Sequence, residues 1–490
     1  MLLQSGQLSN PDSRILPTKS NQSSLLSIIA NAYQGVSTGD VDRYRRHHWE
    51  VSFQQSPWRF FASTVSDNCF FGGMEHVVLW EDDGSSLAAV RGIKAWNRRG
   101  VAISQMRHIP VSLYTGTLFD GNISAIIPTN DADLLPIYTF CMDNNYKAEI
   151  KNIDKKKNIT NATLVKVPFD LDHWARLAAE RYPNGLPEPY SDDPTQWLFH
   201  GHPAKADAGT QLHVALARIA GHRWPAEADP EMGLSTEARE WVAKASALPA
   251  PDADGILPLS AVGIERPLAD RLRDYLNVAV PEWDEARLVR EADERVDKKV
   301  GKDLSLEGWL RDRAFRQHAA LFRNRPFLWQ VGDGQKDGFS AFLHYHRLDH
   351  AALQKLTYTL LGAWIARREA EKDERRVEAA TILQKRLEAI LEGETPYDIF
   401  VRWKPLAQQP IGWNPDLDDG VRLNIRPWVE AGVLKEVHPR GIKWGVDGGK
   451  DGASAPWFNL DKGERNNDRH TTLAEKQAAR EAAAAKVAKG

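Results

Sequence analysis

The amino-acid sequence predicts an α+β fold, with a β-rich N-terminal domain followed by a largely helical C-terminal region. Before residue 168, short apolar runs alternate with Asp-Gly and Arg-Gly pairs, which is the pattern of strands joined by turns. After residue 211, apolar residues recur every three or four positions, as they do in helices. Residues 182–203 are dense in proline and glycine and predict an irregular connector. The length of 490 residues fits two to three domains.

The N-terminal domain is predicted to span residues 25–175, after a polar, disordered leader at residues 1–24. Four apolar runs predict its strands, at residues 77–80, 101–104, 111–116 and 123–128. The following stretches predict two short helices, at residues 133–143 and 146–153. Antiparallel strands followed by helices make this an α+β domain.

The rest of the chain is predicted to be mostly helical. Its parts are an irregular connector with a helical domain (176–300), a helical or mixed domain (301–470) and a charged, alanine-rich tail (471–490). Helical periodicity resumes at residues 212–221. The longest helical signal lies near residues 353–391, and Gly393 followed by Pro396 ends it.

Composition excludes several classes of protein. The net charge of −3 argues against a general binder of polyanions. No apolar run is long enough to cross a bilayer, and the N terminus lacks the pattern of a secretory signal. The two cysteines, Cys69 and Cys141, have no partner at metal-ligand spacing, which argues against a disulfide scaffold or a structural zinc. We therefore expect a cytoplasmic protein without a membrane partner.

Local charge points to a different partner from net charge. Residues 84–119 contain no acidic residue but several basic ones, and a second stretch near residue 155 is rich in lysine. The candidate DNA-binding residues of the two stretches are Arg91, Lys94, Arg98, Arg99, Arg107, Lys155, Lys156 and Lys157. Arginine and lysine neutralise phosphates or bind guanine edges, and Trp96 among them could stack on a base. The alternatives are a solvated face offset by acidic residues elsewhere, and a tryptophan that belongs to the core.

A glycine-flanked loop precedes these stretches. Gly35 and Gly39 enclose Ser37 and Thr38, Asp40 closes the loop, and Arg43 follows in a basic segment. Such a loop presents backbone amides and exposed hydroxyls to a ligand, and we include all six residues among the candidates for DNA binding. The alternative is a simple turn.

No catalytic or metal site is predicted. The sequence lacks a Gly-x-Gly-x-x-Gly or Walker loop, a Gly-x-Ser-x-Gly elbow and a His-Glu-x-x-His helix. His200 with His202, and His344 with His346, are spaced as metal ligands can be, but neither pair has a third ligand at convincing spacing.

These stretches together resemble one family. The segment GVSTGDVDRYRRHHWEV (35–51) is similar to the start of the target-recognition region of large adenine-specific DNA methyltransferases, found in restriction–modification systems and in BREX and DISARM phage defence. Later blocks of that region are similar to residues 100–106, 113–120, 161–174, 323–349, 356–365 and 412–428. The resemblance covers nearly the whole chain after residue 25 and implies a target-recognition domain at residues 25–175.

The chain departs from this family in one respect. Family members carry, upstream, a domain that binds S-adenosylmethionine and an Asn-Pro-Pro-Tyr/Phe motif that grips a flipped adenine. Here Asn10-Pro11 and Asn414-Pro415 are each followed by aspartate instead. The resemblance therefore implies a non-catalytic portion that binds double-stranded DNA, with S-adenosylmethionine held by a catalytic half on another chain or lost. The alternative is a scaffold subunit that contacts other defence proteins.

Overall fold

The computed structural model describes residues 24–51, 57–105, 108–154, 159–296, 304–401, 404–435 and 471–488, with a short piece between residues 453 and 461. It confirms the α+β class, because the described residues combine many helices with antiparallel and mixed sheets. The predicted leader lies outside the described residues up to residue 23. The domain limits near residues 175 and 300 stay predictions.

The strands confirm the four predicted from apolar runs. Those of the described residues are β1 Ala30–Gln34, β2 Arg45–His47, β3 Trp58–Ala62, β4 His76–Leu79, β5 Gly100–Ser104, β6 Val111–Tyr114, β7 Leu118–Phe119, β8 Ile123–Pro128, β9 Ile256–Pro258, β10 Leu328–Gly332 and β11 Ser340–His344. They form two four-stranded sheets, β1-β8-β5-β6 and β2-β4-β3-β7, and a three-stranded sheet, β10-β11-β9.

The two predicted helices of the N-terminal part are present, and three further helices were not predicted. Those up to the connector are α1 Val41–Tyr44, α2 Leu134–Met142, α3 Asn144–Ile153, α4 Asn161–Val165 and α5 Leu171–Arg181. The central strand β8 is buried along its whole length because both faces of its sheet are covered. Ile126 packs with Ile137 of α2 on one face, while Ala125 and Ile127 join a second cluster on the other. This explains why its sequence is apolar at every position except Ser124 rather than alternating.

The C-terminal part is mainly helical. Its described helices are α6 Gln211–Ile219, α7 Pro225–Ala228, α8 Thr236–Ser246, α9 Leu268–Ala279, α10 Glu285–Glu294, α11 Leu306–Asp312, α12 Ala314–Leu321, α13 His350–Gln354, α14 Leu361–Ala370, α15 Glu374–Glu392, α16 Val421–Asn424, α17 Arg426–Glu430, α18 Phe458–Asp461 and α19 Leu473–Val487. Their core is rich in tryptophan: the ring centroids of Trp329 and Trp428 lie 5.5 Å apart, and those of Trp413 and Trp428 lie 5.3 Å apart. No helix in the described part of the chain is long and apolar enough to cross a membrane.

The prediction of one long helix near residues 353–391 is wrong. A π-helical segment, Lys355–Leu360, separates α13 from α14, and a turn then separates α14 from α15, which pack against each other. The turn forms because Lys372 adopts a left-handed φ of 58° and the Asp373 carboxylate accepts a hydrogen bond from the Arg376 amide, which starts a new helix. The predicted end is confirmed, since Gly393 is left-handed with φ 76° and follows Glu392.

The alanine-rich tail forms α19, and its first turn is anchored to the core. Lys476 is buried, and its ammonium donates hydrogen bonds to the carbonyls of Ile399 at 2.9 Å and Pro410 at 2.8 Å. The amide of Thr471 donates to the Asp398 carboxylate at 3.0 Å. These contacts fix the start of the helix, while its later residues are mostly exposed.

Candidate nucleic-acid interface

The first predicted basic stretch forms an exposed loop before β5. Arg91, Lys94, Arg98 and Arg99 are all exposed around a short 3₁₀ turn, Ile93–Ala95. Gly92 allows this shape, because its φ of +76° is left-handed and a Cβ there would lie 2.8 Å from the Gln34 carbonyl oxygen. The loop is thus held close to the end of β1. We call residues 91–99 the basic loop.

The predicted glycine-flanked loop, residues 35–40, follows β1. Both of its glycines are required by close approach. A Cβ on Gly35 would lie 2.1 Å from the carbonyl oxygen of Phe119, and one on Gly39, at φ +75°, would lie 2.9 Å from the Cβ of Ala88. Asp40 closes the loop as the N-cap of α1, where its carboxylate accepts a hydrogen bond from the Arg43 amide at 3.2 Å.

The structure brings these two segments together. The Ser37 amide donates to the Ala89 carbonyl at 2.9 Å, and the Ala89 amide returns a bond to the Ser37 carbonyl at 3.1 Å. Nη1 of Arg91 donates to Oε1 of Gln34 at 3.1 Å, one residue before the glycine-flanked loop. Two stretches about 50 residues apart in the sequence therefore form one surface, which we call the loop surface.

Two side chains of the loop surface differ from the sequence expectation. Thr38 is buried, with 8% of its area exposed, so the expected exposed hydroxyl is wrong at this position, and Ser37 is half-buried. Thr38 is covered because the loop folds back on the segment around Ala89 rather than projecting into solvent. Trp96 is half-buried, and its ring packs edge-on against Trp80 with centroids 5.8 Å apart. Its position matches the core alternative better than a base-stacking platform.

The remaining predicted residues have varied surroundings. Nη2 of Arg98 donates to the Pro128 carbonyl at 2.7 Å and lies 4.0 Å from the Asp131 carboxylate, so this side chain also ties the loop to the end of β8. Arg99 reaches the Pro187 carbonyl at 3.5 Å. Arg43 lies over the ring of Tyr44, 4.9 Å from its centroid. Arg107, Lys155, Lys156 and Lys157 lie outside the described residues.

A large open cleft of about 760 Å³ lies beside the second sheet, between residues 63–76 and the connector. His47 of β2 and His76 of β4 are paired on neighbouring strands of this sheet. Together with Glu75 they form a possible metal-binding group, since the nitrogen and oxygen atoms that could ligate a metal lie within 4.8 Å of one another. Sequence analysis did not find this group, because strand register rather than sequence spacing brings the two histidines together.

The electrostatics of this group do not favour a cation. Both Glu75 oxygens accept from the Arg323 guanidinium, at 2.5 and 3.2 Å, and Gln196 donates to the same carboxylate at 3.4 Å. Burial, followed by the charge of Arg325, holds the pKa of His47 well below its ordinary value. A metal would have to displace Arg323 from Glu75, so Glu75 and His76 are better described as part of a polar, arginine-paired wall of the cleft.

The segment that follows the glycine-flanked loop is clamped by the C-terminal region. The indole Nε1 of Trp49 donates to the Arg325 carbonyl at 3.0 Å, and Arg325 pairs with the buried Glu50 at 3.2 Å. Nε of Arg46 donates to the Asp419 carbonyl at 3.1 Å. Burial, with the nearby Asp416 next in effect, raises the pKa of Asp419 to about 7. The blocks at residues 323–349 and 412–428 are therefore structural supports of the N-terminal domain.

Comparisons with known proteins add no identification. No protein-family model matches this chain, and no curated protein matches it. The loop surface and the sequence resemblance are therefore the indications of its function.

Proposed function

We propose that this chain is the DNA-binding, target-recognition portion of an adenine-specific DNA methyltransferase of a restriction–modification or phage-defence system. The observation that carries the proposal is the pair of hydrogen bonds between Ser37 and Ala89, which joins the glycine-flanked loop to the segment that leads directly into the basic loop. Sequence reasoning selected these two segments separately as DNA contacts. Their meeting in one surface that carries exposed basic side chains supports a DNA-binding role.

The chemistry of the loop surface suits a phosphate backbone. The side chain of Arg91 donates to a neutral amide, that of Gln34, and Lys94 has no hydrogen bond or ion pair within the described residues. Their charges are therefore available to an external anion, and each phosphate that is neutralised releases counterions. Arg98 and Arg99 extend the same positive surface, with Arg98 partly offset by Asp131.

In this proposal S-adenosylmethionine binds to a catalytic half that is a separate chain or is absent. Residues 25–175 would bind double-stranded DNA, and the C-terminal region would hold them in place. We expect this chain alone to transfer no methyl group from labelled S-adenosylmethionine to DNA. Transfer by the purified chain would contradict the assignment of a non-catalytic portion.

The experiment that tests DNA binding removes two charges from the loop surface. We expect Arg91→Ala combined with Lys94→Ala to weaken binding to duplex DNA about tenfold, and to reduce the slope of log K against log salt by about 1.8, since each phosphate contact contributes about 0.9. The double variant Lys385→Ala with Arg386→Ala is the matched control, because it removes two exposed charges from α15. An unchanged slope in the first variant would contradict the proposal.

The same titration tests the alternative role as a scaffold of other defence proteins. Its supporting feature is the charged surface of the α14–α15 hairpin, on which Tyr358, just before α14, and Ile382 are exposed. Wild-type protein without salt-dependent affinity for DNA would favour the scaffold. If the variant Arg91→Ala with Lys94→Ala and the control Lys385→Ala with Arg386→Ala lost DNA affinity equally, the DNA contact would lie elsewhere.

A further inference from the structure

A second cavity lies away from the loop surface, where three segments of the chain meet. It has a volume of about 360 Å³ and lies between residues 48–51, 221–228 and 344–347. We call it the histidine cavity. Its polar lining consists of His48, His222, His344, His346, Arg223 and Arg347, and no aspartate or glutamate is among its lining residues.

The imidazoles of this cavity carry unused hydrogen-bonding atoms. Nε2 of His222, both ring nitrogens of His344 and Nδ1 of His346 are buried and have no hydrogen-bond partner among the described residues. Burial holds the pKa of His222 and of His344 well below the ordinary value, so each ring is neutral and offers one N–H donor. A buried donor without an acceptor costs free energy, which a bound ligand could recover.

The two guanidinium groups of the cavity donate hydrogen bonds to backbone carbonyls. Nη1 of Arg347 donates to the carbonyls of Asp252 at 2.6 Å and Ala253 at 3.2 Å. Nη1 of Arg223 donates to the carbonyls of His222 at 2.7 Å and Arg218 at 3.3 Å. Neither arginine forms an ion pair with a carboxylate of the described residues. Both cations beside the cavity thus have carbonyls as their hydrogen-bond partners, and the carboxylate that acts on Arg223, that of Glu227, is itself paired with Arg218 at 2.7 Å.

The balance of charge selects the ligand class. A metal ion would be repelled by both guanidinium groups, although three of the histidines that line the cavity have ring nitrogens without a partner among the described residues. An oxyanion accepts hydrogen bonds from guanidinium and imidazole alike, and a dianion cancels both charges. The volume exceeds that of a bare phosphate and falls in the range of small-molecule sites, roughly 300–1,000 Å³.

We infer that the histidine cavity binds a phosphoryl dianion, either free phosphate or the phosphate of a small ligand such as a mononucleotide, through Arg223, Arg347 and the imidazoles of His222 and His344. This inference does not rest on the proposed DNA recognition, since the cavity shares no lining residue with the loop surface. Its test uses no duplex DNA. The failure of one proposal therefore leaves the other standing.

Isothermal titration of the full chain with inorganic phosphate, adenosine monophosphate and adenosine tests this inference, at constant ionic strength with chloride as the background anion. We expect phosphate and the monophosphate to bind and adenosine not to bind. Tighter binding of the monophosphate would identify a nucleotide site, and equal binding would identify a phosphate site. No binding of either anion would overturn the inference, as would adenosine binding as tightly as its monophosphate.

Variants locate the binding site. We expect Arg223→Gln and Arg347→Gln each to weaken phosphate binding about tenfold or more, because hydrogen bonds to charged groups are strong. Arg290→Gln, at an exposed position on α10, is the matched control. Imidazole nitrogen resonances of the wild-type protein give a measurement that does not depend on variant folding. Phosphate should shift those of His222 and His344, and unchanged resonances at saturating phosphate would overturn the inference.

Discussion

Lowering the pH from 6.5 to about 5.5 should destabilise this protein strongly, because several histidines are buried in neutral form. The clearest cases are His48, His200, His202 and His213, none of which exposes more than 6% of its area. Burial is the main cause in each case. It lowers the pKa of His48, His200 and His202 to about 4 and that of His213 to about 3.

The sign of the effect follows from these values. In the unfolded chain each histidine takes up a proton near pH 6.5, whereas in the folded protein it stays neutral until far lower pH. Stability from these groups is therefore complete above about pH 6.5 and is lost as the pH falls toward the folded values. Between about pH 6.5 and 5.5 one such histidine costs RT ln 5.5, or about 1 kcal/mol, so the four together cost about 4 kcal/mol.

Chemical denaturation at the two pH values, in a buffer without phosphate, measures this change. His48→Gln should reduce the pH dependence by about 1 kcal/mol. The amide of glutamine can replace the contact between Nε2 of His48 and the Thr195 carbonyl, which is 3.0 Å long. His173→Gln, at an exposed position on α5, is the control. Equal unfolding free energies at both pH values would show that these histidines are protonated in the folded protein and would refute the reasoning.

Two further predictions concern single substitutions. Glu227→Ala should cost about 3–5 kcal/mol in chemical denaturation, because it leaves the Arg218 guanidinium buried without its partner at 2.7 Å. Asp274→Ala, which breaks an exposed pair with Arg266, should cost less than about 1 kcal/mol. Gly92→Ala should cost about 1–3 kcal/mol and weaken DNA binding, because it strains the left-handed turn of the basic loop. Gly233→Ala, where a Cβ meets nothing within 4 Å, should leave both measurements unchanged.

Local sequence patterns were sufficient for the elements that form from neighbouring residues. The apolar runs predicted the bounds of β5 and β8 almost to the residue, because these strands are buried on both faces and consist mainly of apolar residues. The prediction of one long helix near residues 353–391 was wrong for a local reason as well. The turn at Lys372 uses a charged residue in the left-handed conformation rather than glycine, so the charged stretch is indistinguishable from a solvated helix surface.

Contacts between residues that are distant in the sequence could not be predicted from local sequence patterns. The residues of the loop surface were identified from glycine and charge, but the bridge from Ser37 to Ala89 that unites them has no sequence signal. The same holds for the histidine cavity. His344 and His346 stood out as a pair, whereas His222, whose ring centroid lies 5.7 Å from that of His344, is separated from them by more than 100 residues.

The role of the C-terminal region follows from how it holds the N-terminal segment. Nε1 of Trp58 donates to the Asp418 carboxylate at 3.0 Å. Gly420, at φ +80°, packs closely against Arg46, because a Cβ at this position would lie 2.9 Å from Cδ of that arginine. Glu50 is buried and forms an ion pair with Arg325. These contacts fix residues 41–50, which continue directly from the glycine-flanked loop. The segment that follows the glycine-flanked loop is therefore held by residues far away in the sequence, since Glu50 and its partner Arg325 are 275 positions apart, and the C-terminal region thereby takes part in positioning the loop surface.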